Sequence, residues 1–131
     1  MTRTVSTIAV IDDDESVRRA LCRLIRSAGL SVETYATAED FLDQVAEKMP
    51  ACLILDVRMP GMSGLELQNL LAADNRRIPI VFITAHEDEQ ARLTALGAGG
   101  VAFLQKPFDD GVLLDAVVRA LSQTTEGSGD P

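Results

Sequence analysis

Five polar side chains follow closely on short apolar runs. "TIAVI" (Thr7 to Ile11) leads into Asp12 and Asp13, "CLIL" (Cys52 to Leu55) into Asp56, and "IVFI" (Ile80 to Ile83) into Thr84. "VAFL" (Val101 to Leu104) is followed, one residue on, by Lys106 and then Pro107. If the runs are parallel strands, all five side chains reach the same rim. Crowded carboxylates repel, and partial burial makes this worse; a raised pKa or a bound cation relieves it. Carboxylate oxygens together with water suit Mg²⁺. Lys106 adds a fixed positive charge and Thr84 a hydroxyl, so the set is built to receive an anion with several oxygens. A phosphoryl group fits. Asp56 can itself attack phosphorus, because carboxylates serve as nucleophiles that form aspartyl phosphates. The cation and the lysine would then stabilise charge on the equatorial oxygens.

Each residue also has a commonplace role. Asp12 and Asp13 can be helix-dipole partners, Asp56 a strand-end carboxylate, Thr84 a loop hydroxyl and Lys106 a solvated cation. It is the set that carries the inference. Asp14 reads differently, as the N-cap of a helix whose dipole also favours Glu15. His86, two residues past Thr84, reads as a loop residue. It has no second histidine and no nearby cysteine pair with which to hold zinc.

The elements that must position these residues alternate in type. The four runs above are almost continuously apolar, as parallel strands covered on both faces should be. "SVETYA" (Ser31 to Ala36) alternates, which predicts an edge strand with one wetter face. Between them lie helix-period stretches. The first places Val17, Ala20, Leu21, Leu24, Ile25 and Ala28 on one side, with Gly29 placed to end it. Thr37 to Asp40 starts a second, running to about Lys48, and Ser63 to Glu66 forms a better capping box for a third, to about Asp74. A weaker fourth spans Asp88 to Leu96 and is expected to be mobile. Asp109 caps a fifth bearing Val112, Leu113, Ala116, Val117, Ala120 and Leu121. Alternation of this kind predicts one α/β domain, a parallel sheet with helices on both faces, and ligands at the carboxyl ends of the strands. The expected division is a domain over 1–122 and a flexible polar tail over 123–131.

Composition narrows the partners. Across 131 residues the net charge is −8, which disfavours nucleic acid and anionic membrane, and 47% of residues are hydrophobic, enough for a core. The sequence has no apolar run of membrane-spanning length and no signal-peptide core, so a cytoplasmic location is expected. Cys22 and Cys52 sit among apolar residues and read as buried, inert thiols.

Taken together, "VIDDDES", "LILDVRMPGMSG", "VFITAH" and "FLQKPF" resemble the receiver domain of two-component response regulators, from Thr7 to about Leu121. The wording "LDVRMPGMSGLELQ" and "FLQKPFDDGVLLDAV" is most similar to the nitrogen-fixation regulator branch, whose members usually carry a LuxR-type helix-turn-helix output domain after the receiver. The resemblance implies a doubly wound, flavodoxin-like five-stranded sheet in the order 2-1-3-4-5. It implies Asp56 as phosphoacceptor, Asp13 as a direct Mg²⁺ ligand (with Mn²⁺ as a substitute), Asp12 acting through water, and the Arg58 carbonyl completing the metal set. Thr84 with Ala85 beside it, Lys106, and Phe103 become the phosphoryl-binding and switch residues, and a cis Lys106–Pro107 bond aims the lysine. The implied partner is a sensor histidine kinase, with no direct nucleic-acid or membrane binding by this domain. The implied activity is a phosphoacceptor switch that assists its own phosphorylation and dephosphorylation, rather than a turnover enzyme.

Output would pass through the fourth helix, fifth strand and fifth helix. On the last, Leu114 and Val118 lie off the main stripe, as a dimer face or as wider burial. "TAHEDE" and "LGAGG" depart from the branch's usual wording around the fourth helix. Two other readings stand beside this one. A small phosphohydrolase of the haloacid-dehalogenase type would need an aspartate where Arg58 stands. A receiver-like module that is never phosphorylated would not need the full acidic set.

Overall fold

The computed structural model describes residues 7–129. Five strands and five helices alternate: β1 (Thr7–Ile11), α1 (Glu15–Ser27), β2 (Ser31–Tyr35), α2 (Ala38–Val45), β3 (Cys52–Asp56), α3 (Gly64–Ala73), β4 (Ile80–Thr84), α4 (Glu89–Gly97), β5 (Ala102–Gln105) and α5 (Asp110–Gly129). All neighbouring strands are parallel, in the order β2-β1-β3-β4-β5. The doubly wound α/β sheet is therefore the expected one, with β2 at an edge as its alternating pattern predicts.

The period of two along each strand divides the core. Ile8, Val10, Cys52, Ile54, Val81 and Ile83 point to one face, where Leu21 and Ile25 of α1 and Leu113, Ala116, Val117 and Ala120 of α5 cover them. Ala9, Ile11, Leu53, Leu55, Ile80 and Phe82 point to the other, covered from α2, α3 and α4 by residues such as Phe41, Leu67 and Ala95. β3 and β4 are buried at every position. This is why their sequences show no polar alternation.

Local chemistry sets the ends of the helices. Asp14 caps α1, accepting the Ser16 N–H, and Gly29 follows at φ 84°, a left-handed position open to glycine at little cost. Thr37 caps α2 through the Asp40 N–H. Ser63 and Glu66 form both halves of a capping box: the Ser63 hydroxyl accepts the Glu66 N–H at 3.1 Å and the Glu66 carboxylate accepts the Ser63 N–H at 2.8 Å. Ser63→Ala should cost about 1 kcal/mol in urea unfolding, with an unchanged m-value.

Several expectations shift. α2 stops at Val45, and the Glu47 and Lys48 N–H groups close on the Gln44 carbonyl. β5 begins one residue late, because Val101 spends its N–H on the Ile80 carbonyl before the ladder starts. Ala20 and Ala28 are exposed despite lying near the apolar side of α1, whose buried seam is only Leu21 and Ile25. On α5 Val112 is exposed rather than buried, Leu114 is half-buried and Val118 is exposed. Asp109 precedes α5, and its carbonyl accepts the Leu113 N–H. α5 continues past residue 122 to Gly129, over most of the segment expected as a tail; helix propagation from a packed stem needs no new nucleus. Residues 130–131, and residues 1–6 at the other end, lie outside the described residues. Cys52 is buried, and that burial pushes its thiol up to about 12, whereas Cys22 is only half-buried. Among the described residues, no helix is long and apolar enough to cross a membrane.

Candidate functional site

Each chemical residue at the rim sits where a ladder gives out. The Asp12 N–H reaches the Tyr35 carbonyl, the Val57 N–H the Ile83 carbonyl and the Lys106 N–H the Thr84 carbonyl. These last backbone bonds fix the strand ends, and the side chains just beyond them turn to a common rim. One oxygen from each of Asp12, Asp13 and Asp56 lies within 4.8 Å of the others, the one group of three or more among the described residues with metal-ligand spacing. Asp12 is fully buried, Asp56 nearly so, and Asp13 is exposed.

The electrostatics follow from that crowding. Burial first, and the Asp12 charge second, push the Asp56 carboxyl up to about 7, against a smaller opposing pull from Lys106. At neutral pH it is therefore only partly ionised. Asp12 is held at both oxygens: Oδ2 accepts Lys106 Nζ at 2.8 Å, and Oδ1 accepts the Asp14 N–H at 2.9 Å. Arg58 lends Asp56 a long backbone contact, its N–H 3.4 Å from Asp56 Oδ1. Thr84 is buried, and its hydroxyl accepts the His86 N–H at 3.2 Å. Ala85 and His86 are exposed beside it. The Lys106–Pro107 bond is cis, as the resemblance implies. Phe103 is not among the carboxylates. It pairs in register with Phe82 on β4, ring centroids 6.2 Å apart, and is half-buried at the edge of the core.

Four supporting residues escaped the sequence reading. Arg18 of α1 lies outside the apolar stripe, yet its guanidinium donates to the Asp12 carbonyl at 2.8 Å. Glu39, at the start of α2, accepts the Met62 N–H at 3.1 Å and so braces the loop after Asp56. Gly64 lies so close to the end of β3 that a Cβ there would sit 2.3 Å from the Asp56 carbonyl oxygen. Asp88 caps α4 and also pairs with the Arg58 side chain at 2.9 Å. Sequence offered one hint, a glycine directly after the cap residue of α3. Glu39 and Asp88 depend on contacts between segments 23 and 30 positions apart, and Arg18 on a backbone carbonyl six positions back.

A family model described as the response regulator receiver domain matches residues 8–118. Nodulation protein W of Bradyrhizobium diazoefficiens is 47% identical over 117 residues, 89% of this chain and 52% of that protein. Transcriptional regulatory protein FixJ of Azorhizobium caulinodans is 40% identical over 119 residues, 91% of this chain and 56% of that one. Among solved structures, the response regulator StyR superposes with a TM-score of 0.89 at 48% identity, covering 95% of this chain and 63% of that one. The chain thus spans about half the length of the curated relatives it matches. With a sheet of this order and acidic strand ends at the rim, a matching family model over most of its length and relatives of this similarity, the chain belongs to the response regulator receiver domain family.

Proposed function

We propose that this receiver takes a phosphoryl group onto Asp56 from the phosphohistidine of a sensor histidine kinase, with Mg²⁺ required, and that the acyl phosphate shifts a pre-existing conformational equilibrium. The observation that carries the reading is the convergence of Asp12, Asp13 and Asp56 within 4.8 Å beside Lys106. That donor set fits a hard divalent cation: all oxygen, two members buried, and a carboxyl at Asp56 that burial first and the Asp12 charge second have driven up to about 7. Asp12, Asp13 and Asp56, with the Arg58 carbonyl, would hold Mg²⁺ or Mn²⁺. When bound, the ion supplies positive charge against which phosphoryl oxygens can rest.

The remaining work falls to the chain. An ionised Asp56 oxygen attacks phosphorus in line with the departing imidazole nitrogen. The Lys106 ammonium, now on Asp12, is free to exchange onto a phosphoryl oxygen. Thr84, whose hydroxyl now only accepts a local bond, turns its own proton toward another, with the Ala85 backbone alongside. Phe103 turns inward as Thr84 moves, and Pro107 sets the direction from which Lys106 approaches. The change passes to the face of α4, β5 and α5, where Leu93, Val112 and Val118 are exposed and a phosphorylation-dependent homodimer could form. A cytoplasmic protein, with DNA contact left to a separate output domain, completes the reading. Arg58, engaged with Asp88, supplies no second carboxylate of the kind a phosphohydrolase of this chemistry needs.

Incubation with acetyl phosphate and Mg²⁺ should add the mass of one phosphoryl group to the intact chain. The gain should vanish with a chelator and in Asp56→Asn. An equal gain in Asp56→Asn would refute the assignment.

A further inference from the structure

Asp88 uses its two oxygens for different purposes. Oδ1 accepts the Ala91 N–H at 3.0 Å and closes the first turn of α4. Oδ2 accepts Arg58 Nη2 at 2.9 Å. Arg58 stands two residues after Asp56, and its backbone N–H faces the Asp56 carboxylate. The ion pair therefore bridges the loop after β3 to the start of α4, across 30 positions of sequence. It lies on the outside of the rim, with the arginine side chain 57% exposed and the aspartate 26% exposed. Exposed pairs of this kind hold weakly and exchange readily.

We propose that this pair is an exchangeable tether: Asp88 holds the Arg58 guanidinium on α4 in the resting chain and yields it to a phosphoryl group carried by Asp56. The proposal rests on the reading of Asp56 as phosphoacceptor. A phosphoryl group brings nearly two negative charges and three acceptor oxygens, and a guanidinium can meet two of those oxygens at once. A singly charged, half-solvated carboxylate is the poorer partner. Lys106, from the β5 side, is engaged with the Asp12 carboxylate and Arg18, from α1, with the Asp12 carbonyl, so Arg58 would meet the phosphoryl group from the α4 side. Asp88 keeps its cap when the guanidinium leaves, so α4 stays helical while its link to the β3–α3 loop is released. Asp88 is on this account a positioning residue that acts through Arg58.

The test compares wild type, Asp88→Asn, Arg58→Gln and the double variant in acetyl phosphate and Mg²⁺. Intact mass gives phosphoryl occupancy at limiting donor, and its decay after donor removal gives the lifetime. Asparagine caps a helix as well as aspartate, so Asp88→Asn removes the ion pair and spares α4; circular dichroism checks this. We expect about threefold higher occupancy in Asp88→Asn at low salt, narrowing as salt screens the pair. Arg58→Gln should shorten the lifetime severalfold, and the double variant should match Arg58→Gln. An Asp88→Asn chain that labels and decays like wild type, or an Asp88 effect that persists in the Arg58→Gln background, would overturn the tether while leaving Asp56 as acceptor. A wild-type chain that takes no phosphoryl group would overturn both.

Discussion

Asp56→Asn should make the domain more stable than wild type at pH 8, by about 2 kcal/mol, with the advantage disappearing as the pH falls toward 4. The sign comes from the raised carboxyl. In the unfolded chain Asp56 loses its proton near 3.8; in the folded chain it holds the proton up to about 7, because burial and Asp12 penalise the charge. Between those values the native state binds more protons than the unfolded state, so this group's contribution to stability declines as pH rises through the window. Above pH 7 the native chain carries the full cost of an ionised Asp56 next to Asp12. Asparagine has nearly the same shape and can still accept the Arg58 N–H, but carries no charge. Urea unfolding at pH 4, 6 and 8 measures the difference. Added Mg²⁺ at pH 8 should stabilise wild type more than the variant, because only wild type presents all three carboxylates. A variant no more stable than wild type at pH 8 would mean that the rim already neutralises Asp56.

Gly64→Ala should destabilise the domain by about 2–3 kcal/mol, although its backbone angles are ordinary for a helix start. The obstacle is contact. The added methyl would lie 2.3 Å from the Asp56 carbonyl oxygen and 3.1 Å from both the Asp56 carbonyl carbon and Val57 Cα. Those atoms are backbone and cannot swing aside as a side-chain tip would. The Gly64 N–H also donates to the Val57 carbonyl at 2.9 Å, so α3 cannot back away without losing that bond. Relief must come from moving the end of β3, which carries Asp56 and Arg58, so phosphoryl uptake should fall along with stability. Gly97→Ala is the matched control. That position lies in α4 with nothing within 4 Å of a new Cβ, and alanine there should be neutral or slightly stabilising. Equal effects at the two glycines would exclude steric contact as the cause.

The architecture was legible because the sequence repeats one signal five times. Apolar runs covered on both faces cannot be amphipathic, so "TIAVI", "CLIL", "IVFI" and "VAFL" all read as doubly covered strands; β3 and β4 are fully buried, whereas β5 is the other edge of the sheet, with only Ala102 buried. The alternating "SVETY" read as an edge, and β2 is one. The strand order itself came only through resemblance, since pattern does not say which runs lie side by side. Helix faces were less legible where the small residue alanine stood on them. Ala20 and Ala28 gave the right period but are exposed, while Ala91 and Ala95 form the buried seam of α4 despite its weak pattern. At the site, residue type and strand-end position brought out Asp12, Asp13, Asp56, Thr84 and Lys106. Arg18, Glu39 and Asp88 stayed hidden because each is an ordinary surface residue by type. Their roles depend on which backbone atom or charge another segment brings within 3.1 Å.

The order of the sheet also decides when in the life of a chain its chemistry begins. Asp12 and Asp56 meet only because β1 lies beside β3, and Lys106 reaches Asp12 across 94 positions of sequence. These strands are parallel and distant in sequence, so no hairpin brings the set together. On the proposed reading of Asp56 as phosphoacceptor, a nascent or partly unfolded molecule should take no phosphoryl group, so labelling of a mixed pool should count only its assembled members.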